Sequence, residues 1–257
     1  MLISVIMPAY NAEKTIRQAI ESVMAQSFRQ WELIVLNDRS KDDTRQRVLE
    51  LAEQDTRIRY MENDGNLGVA KTRNLGVSMA RGEWIAFLDS DDAWEREKLE
   101  RQVQLAERTD ARLIFTGSAF MDQDGERLDY RMEVPEEVGF RGLLKQNVIS
   151  CSSVLAEKAL MVRYPMMPGD MHEDYAVWLK VLKHEAITAK GVNEPLLIYR
   201  VSGASKSGNK GKAALMHWRV YRHIGLPLPQ SVYFFSFYMV RNLKKYTKIW
   251  KETGKRR

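Results

Sequence analysis

The chain reads first as an alternation of two spacings. Short apolar runs rich in β-branched residues, "LISVIMP", "WELIVLND" and "EWIAFL", are separated by longer segments whose apolar residues recur every three or four positions. The runs predict buried strands, and the longer segments predict amphipathic helices. In "AEKTIRQAIESVMAQ", Ile16, Ala19, Ile20 and Val23 share one face, and Asn11 is placed to cap the helix. "TRQRVLELAEQ" follows the second strand, with Ser40 and Asp43 at capping-box spacing ahead of it. "RIRYME" is a third, shorter strand, "NDGNLG" a turn-rich loop and "VAKTRNLGVSMA" a helix; after the fourth strand a charged helix begins near Arg96. Strands alternating with helices predict a parallel sheet with right-handed crossovers.

Such sheets bind ligands outside the carboxyl ends of their strands. Three of those ends carry candidate residues: Pro8-Ala9-Tyr10-Asn11, Asn37-Asp38 and Asp89-Ser90-Asp91. Beyond about Ala111 the pattern loosens. "RLIFTGSAFMDQDGERLDYRME" predicts a strand pair around Asp124-Gly125, and "FRGLLKQN" a short helix. "HEDYAVWLKVLKH" predicts a helix with acids in its first turn and lysines near its end, as the dipole favours. "PLLIYRV" is a strand, and the Gly/Ser/Lys-rich "SGASKSGNKGK" is expected to be mobile. The expected divisions are 1–110, a nucleotide-sugar-binding half; 111–201, an acceptor-binding half; 202–229, a flexible loop and helix; and 230–257, a basic tail. There are no internal repeats.

Composition narrows the class. With 257 residues, 44% of them hydrophobic, a sizeable core is expected. The single cysteine, Cys151, forms no internal disulfide and reads as a small buried packing residue. The first residues read as a core strand, not a signal peptide, and no run approaches the ~18 apolar residues of a transmembrane helix. The net charge of +6 is concentrated in "RNLKKYTKIWKETGKRR", so the basic pI of about 9.3 gives no reason to expect a nucleic-acid partner.

The chemistry centres on "FLDSDD". Two aspartates flanking one residue at a strand end can hold a hard divalent cation, Mn²⁺ or Mg²⁺, that shares its coordination with phosphates. Alone the D-x-D spacing is a weak signal, because a solvated turn with a helix cap explains most occurrences; the strand before it and the neighbouring loops strengthen it. "SVIMPAYNAEKTIRQAIESVMAQSF", "WELIVLNDRSKDDT", "NLGVAKTRNLGVSMARGEWIAFLDSDD" and "HEDYAVWLK" together resemble the family 2 glycosyltransferases of the GT-A fold, over roughly residues 1–201.

The resemblance implies an α/β protein: a Rossmann-like nucleotide-binding half with a mostly parallel sheet, merged with an acceptor-binding half, plus a C-terminal helical tail. It implies an inverting, metal-dependent transfer of a hexosyl or N-acetylhexosaminyl group from a nucleotide diphosphate sugar, with UDP the expected nucleotide. Pro8, Ala9, Tyr10 and Asn11 match the loop that holds ribose and base. Asp38 matches the aspartate that reads the uracil, and Lys71 and Arg73 fall where base and diphosphate contacts are common. Asp89 and Ser90 would face the nucleoside, and Asp91, with Asp89, would hold the metal. Glu173-Asp174 match the acceptor-side acids, with Asp174 as general base and Glu173 in support; read without the resemblance, both simply favour a helix N-terminus. Asp92 is divided between a direct role and a cap on the next helix. His172, Arg200 and Lys206 are candidates to orient the loop or close over the diphosphate, and Trp178 and Leu179 read as core. Arg39 stands where the family commonly has glycine, so that turn is expected to differ.

Gln230 to Trp250 can be drawn as one helix, with Phe235, Met239, Leu243, Tyr246 and Trp250 on one face and Arg241, Lys244, Lys245 and Lys248 opposite. That composition suits a peripheral helix at the inner face of the plasma membrane, where a saccharide on a lipid carrier would be the acceptor in surface-polysaccharide assembly; packing on the catalytic domain is the competing reading. A nucleotidyltransferase is one alternative, although "PAYNAEKT" lacks a glycine-rich phosphate loop; a non-catalytic, membrane-associated binding protein is another.

Overall fold

The computed structural model describes the backbone of residues 1–201 and 210–253, and the side chains of 1–201 and 211–240. Lys206, most of "SGASKSGNKGK" and the side chains of the basic tail lie outside the described residues.

The predicted alternation is present. β1 (Ile3–Ala9), α1 (Ile16–Met24), β2 (Trp31–Asn37), α2 (Thr44–Ala52), β3 (Ile58–Glu62), α3 (Val69–Met79) and β4 (Trp84–Phe87) follow in order. Strands β3, β2, β1 and β4 are parallel neighbours. The chain continues through β5 (Ala93–Trp94), α4 (Lys98–Arg108), β6 (Leu113–Met121), β7 (Arg127–Met132), β8 (Glu137–Val138) and α5 (Phe140–Lys145). A short 3₁₀ turn at Cys151–Ser153 leads to β9 (Leu155–Glu157), α6 (Lys158–Arg163), α7 (Glu173–His184), β10 (Ala189–Arg200), α8 (Lys210–His223) and α9 (Leu228–Thr253).

The two predicted halves share one sheet of order β3-β2-β1-β4-β9-β6-β10-β5. β9 joins them, antiparallel to both β4 and β6. β5, from the first half, pairs with β10 at the far edge. β6 and β7 form the expected antiparallel pair.

Alternating side chains of β1 feed two cores. Ile3, Val5 and Met7 pack with Ile16, Ile20 and Val23 of α1 and Val48 of α2; Ile6 packs with Val77 of α3 on the other face. Gly76 lies in the middle of α3, where the helix meets the sheet. A Cβ there would come within 2.5 Å of Ile6 Cγ2 and 2.9 Å of Leu36 Cδ1, so only glycine lets the helix lie this close to the sheet. Trp178 and Leu179 are fully buried, as expected.

The helix starts differ from expectation. Asn11 does not cap α1: helix geometry begins at Ile16, and Asn11 sits five residues earlier at φ 49°. Asn11 Oδ1 instead accepts from the N–H of Lys41 (2.9 Å), while Ser40 Oγ accepts from the N–H of Asn11 (2.9 Å). The N–H of Glu13 donates to Asp42, and that of Ala12 to Thr44 Oγ1. The capping groups of both loops are thus used to tie one loop to the other, and Asp43 makes no side-chain cap.

The tail is also corrected in part. The start of α9 packs on the catalytic unit: Ser231 and Phe234 are buried, Phe235 lies edge-on to Trp218 and Tyr238 stacks on His217 at 3.8 Å. Phe235 therefore belongs to the packed side, not to an exposed apolar face. The end of "SGASKSGNKGK" opens α8. No described helix is long and apolar enough to cross a membrane.

Candidate active site

The carboxyl edge of the sheet opens into a cavity of about 530 Å³. Its walls bring together Pro8, Ala9, Tyr10, Asn11, Asp38, Arg73, Asp89, Ser90, Asp91, Glu173 and Asp174. Of the residues given a role by the sequence, Lys71 is not in this wall and lies exposed on α3; the further candidates Asp92 and Arg200 are not in it either. The helical period explains the split: residues two apart on a helix face different directions, so Arg73 turns inward and Lys71 outward.

Backbone geometry shapes the first wall. Asn11 adopts a left-handed φ, which asparagine visits more readily than most residues, and its amide oxygen is held across the loops by the N–H of Lys41. Arg39 adopts φ 65°, the region glycine favours. The β2–α2 turn therefore keeps the geometry a glycine would give, at a cost of ~1–2 kcal/mol for a side-chain-bearing residue; its guanidinium reaches Glu62 at 3.3 Å. Asp38 is buried and anchors the next loop: its carboxylate accepts from the N–H groups of Leu67 (2.7 Å) and Gly68 (2.8 Å) and from Asn63 Nδ2 (2.8 Å). It presents to the cavity a carboxylate already fixed by three donors.

Arg73 is the centre of the electrostatics. Only 4% exposed, it donates through Nη2 to Asp89 and through Nη1 to Glu173 Oε1 at 3.1 Å. One buried cation thus joins the strand-end acids to the helix-start acids, and its partner Glu173 lies 100 residues away from it in the chain. Negative charge from Asp89, Glu173 and Asp174 holds the guanidinium firmly protonated against its burial.

The other member of each pair is left less compensated. Asp91 is raised to about 6, by desolvation first and then by the charge of Asp89. Asp174 is raised by desolvation and then by Glu173, with Arg73 opposing. Asp174 and Glu173 open α7, where the helix dipole favours negative charge.

Asp92 takes neither expected role. It is buried, caps no helix, and accepts the N–H of Arg200 at 2.9 Å. Arg200 is likewise not free to close over a ligand. Its side chain is spent on the carbonyls of Asp91 (2.8 Å), Asp122 and Gln123 and on Gln18, so it fixes the D-x-D turn from behind. His172 lines the cavity, and its Nε2 lies 3.3 Å from the carbonyl of Ala213.

The cavity also contains residues that carried no such signal. Ser150, Cys151 and Tyr199 line it, and Ser152 Oγ accepts the N–H of Asp89 at 3.1 Å. Ser150–Ser152 precede β9, an unpatterned crossing strand, so nothing in the local sequence announces their position. Cys151 is buried, and burial pushes its thiol pKa up, away from nucleophilic use.

The donor set suits a divalent cation. Asp91 carries a carboxylate whose charge is not neutralised, beside that of Asp89, at a polar cavity wall. Both are hard oxygen donors, and among the described residues no cluster of three or more metal-binding side chains forms a closed cage. Such a site fits a cation that takes its remaining oxygens from bound phosphates and water.

Sheet order, site edge and paired acids together define the GT-A class of transferase. Residues 4–156 match the model of glycosyl transferase family 2, and the chain belongs to that family. This sets aside the nucleotidyltransferase alternative. A Bacillus subtilis (strain 168) glycosyltransferase, TuaG, whose name assigns it provisionally to teichuronic acid biosynthesis, is 39% identical over 87% of this chain and 88% of its own. The Escherichia coli protein WfgD, named a UDP-Glc:alpha-D-GlcNAc-diphosphoundecaprenol beta-1,3-glucosyltransferase, is 34% identical over 99% of this chain and 98% of its own. Among solved structures, Staphylococcus aureus TarS (residues 1–349) in complex with UDP-GlcNAc superposes with a TM-score of 0.72, at 19% identity, over 95% of this chain and 73% of that one.

Proposed function

We propose that this chain is an inverting glycosyltransferase that moves a hexosyl or N-acetylhexosaminyl group from a UDP-sugar to a saccharide carried on a lipid diphosphate, at the inner face of the plasma membrane. The observation that carries the reading is that Asp174 and Asp91 line one cavity, with Arg73 joined to the acid beside each. The names of the relatives support it: a UDP-glucose donor and a diphosphoundecaprenol-linked acceptor for the Escherichia coli protein, and bound UDP-GlcNAc for TarS.

The roles follow from position. The Pro8–Asn11 loop and Asp38 receive the nucleoside, and Asp38 is rigid because three donors hold it. Asp174 takes the proton of the acceptor hydroxyl as that oxygen attacks the anomeric carbon. The bond from that carbon to the diphosphate breaks on the opposite face, so one displacement inverts the configuration. A base with a pKa lifted above the ordinary aspartate value is better matched to a hydroxyl proton. Glu173, held by Arg73, places the negative charge that helps lift the pKa of Asp174. Mn²⁺ or Mg²⁺ held by Asp91 with Asp89 would offset charge on the leaving diphosphate; a mannosyltransferase of the same fold from Pyrobaculum calidifontis (TM-score 0.69) was solved in complex with GDP-Man and Mn²⁺.

The test is UDP release from UDP-glucose and UDP-GlcNAc, with and without a GlcNAc-diphosphoryl lipid acceptor, in Mn²⁺ and in chelator. Acceptor-stimulated release that vanishes in chelator is expected. Asp91→Ala should lose metal-dependent donor binding while keeping its melting temperature. Full turnover by that variant, or in chelator, overturns the metal assignment; no release from any donor overturns the activity.

A further inference from the structure

A second cavity, of about 340 Å³, lies away from the active site between α5 and the start of α9. Phe140, Leu144 and Phe234 line its apolar part; Arg141, Lys145, Gln230 and Tyr233 line its rim. Arg141 is exposed, and Lys145 lies over the ring of Phe237 at 5.6 Å. Among the described residues neither cation is ion-paired. A cleft with an apolar floor, two uncompensated cations and an amide has the chemistry to take a phosphate ester that carries hydrocarbon.

The surface beside the cleft has matching chemistry. On α9, Leu228 and Val232 are each 57% exposed, Tyr233 53%, Val240 55% and Met239 42%. These side chains are exposed, whereas Ser231 and Phe234 are buried and Phe235 and Tyr238 pack against Trp218 and His217. Leu228, Val232, Ser236 and Met239 follow helical spacing, and the sequence continues it at Leu243, Tyr246 and Trp250. Tyr233 and Phe237 follow a second row on the cleft side, which the sequence continues at Arg241, Lys244 and Lys248. The backbone of α9 is helical from Leu228 to Thr253. The exposed apolar row of α9 beside the cleft cations Arg141 and Lys145 is complementary to an anionic bilayer: headgroups against the cations, hydrocarbon against the apolar row.

We infer that the α5–α9 cleft is a binding site for the headgroup of an anionic phospholipid, and that with the Leu228–Val232–Met239 row it forms the surface by which this protein docks on the membrane. The inference rests on the proposed function only for its usefulness, since it would bring the active site to a lipid-borne acceptor.

The test uses the full chain and co-sedimentation with vesicles of phosphatidylcholine alone, or mixed with phosphatidylglycerol. The wild type should partition onto the mixed vesicles, less so in high salt. Arg141→Gln with Lys145→Gln should weaken that partition roughly 30-fold, two cations each worth about fivefold near an anionic surface, and leave the weaker binding to neutral vesicles unchanged. Val232→Ser with Met239→Ser should weaken both. UDP affinity and melting temperature should stay at wild-type values in all variants, since these side chains are outside the catalytic cavity. A double glutamine variant that partitions like the wild type overturns the cleft. Wild-type protein that ignores phosphatidylglycerol overturns the docking surface, and so does a dimer that Val232→Asp converts to monomer without changing vesicle binding. Vesicle binding without donor turnover would sink the proposed activity while leaving this surface standing.

Discussion

Two pairs of carboxylates line the catalytic cavity, and they are built from different parts. Asp89 and Asp91 stand in a turn where a parallel strand ends; Glu173 and Asp174 stand in the first turn of α7. Each pair is nevertheless divided in the same way. One member, Asp89 or Glu173, is held by Arg73; the other, Asp91 or Asp174, has its pKa lifted. A single buried guanidinium therefore sorts four acids into two fixed anions and two whose charge is left for a ligand. The lesson is that acids of one type acquire separate duties from their neighbours: Asp91 sits beside an anion that a cation can share, while Asp174 sits over open cavity at a helix end.

The comparison can be broken at three points. The largest effect should come from Asp174→Asn, which keeps the shape and removes the proton acceptor. Turnover should fall ~10²–10⁴-fold with UDP affinity unchanged. Steady-state kinetics beside a UDP titration checks this, and a Glu173→Gln variant that loses more turnover than Asp174→Asn would reverse the two roles.

Removing the sorter comes next. Arg73→Met leaves Asp89 and Glu173 without their buried partner and should cost about 3–5 kcal/mol of stability, the usual result of breaking one side of a buried pair. Urea unfolding measures it. A loss under about 1 kcal/mol would mean that water or the other loops already compensate both acids.

The smallest effect is a shift in pH dependence. Glu173 raises the pKa of Asp174, so in Glu173→Gln that pKa should fall. A base must be ionised to act. Activity is therefore full above its pKa and is lost as pH falls through it, and the acid limb of kcat/KM should move to lower pH, by roughly one unit or less. A limb that stays in place, or moves up, would show that Glu173 does not act on Asp174 through its charge.

The two halves of the chain differed in how plainly their sequence spoke. Along β1–α1–β2–α2–β3–α3–β4 the buried strands β1, β2 and β4 are mostly apolar runs and α1 has a clear apolar stripe, so both the order of elements and the site edge were readable. Even there the caps were misread. Asn11, Ser40 and Asp43 have the composition of helix caps, yet Asn11 and Ser40 bond across two loops that the sheet brings side by side, and Asp43 makes no side-chain cap. Nothing local distinguishes a cap from a cross-loop tie, because the same oxygens serve both.

In the later half the readable signals were single elements: the β6–β7 pair, the acidic start of α7, and the core role of Trp178 and Leu179. Their assembly was not readable. β9 is three residues long, yet it joins the two halves of the sheet and places Ser150, Cys151 and Ser152 behind the D-x-D turn. Arg200 and Asp92 looked like ligand groups until the fold turned Asp92 toward the N–H of Arg200 and the Arg200 side chain toward the carbonyl of Asp91. Phe235 looked like part of an exposed apolar face until Trp218 covered it.

The sequence by itself determined the fold class, the edge of the sheet where a ligand binds and nearly all of the acids that face it. These follow from short-range regularities: the period of apolar positions, and the rule that parallel strands open their site at the carboxyl end. Tertiary structure alone decided which carboxylate is neutralised, which is left with a lifted pKa, and which side of α9 is covered. Those outcomes depend on desolvation and on charges brought within a few ångströms from 100 residues away in the chain, as Arg73 and Glu173 are. Separation along the chain carries no information about such contacts.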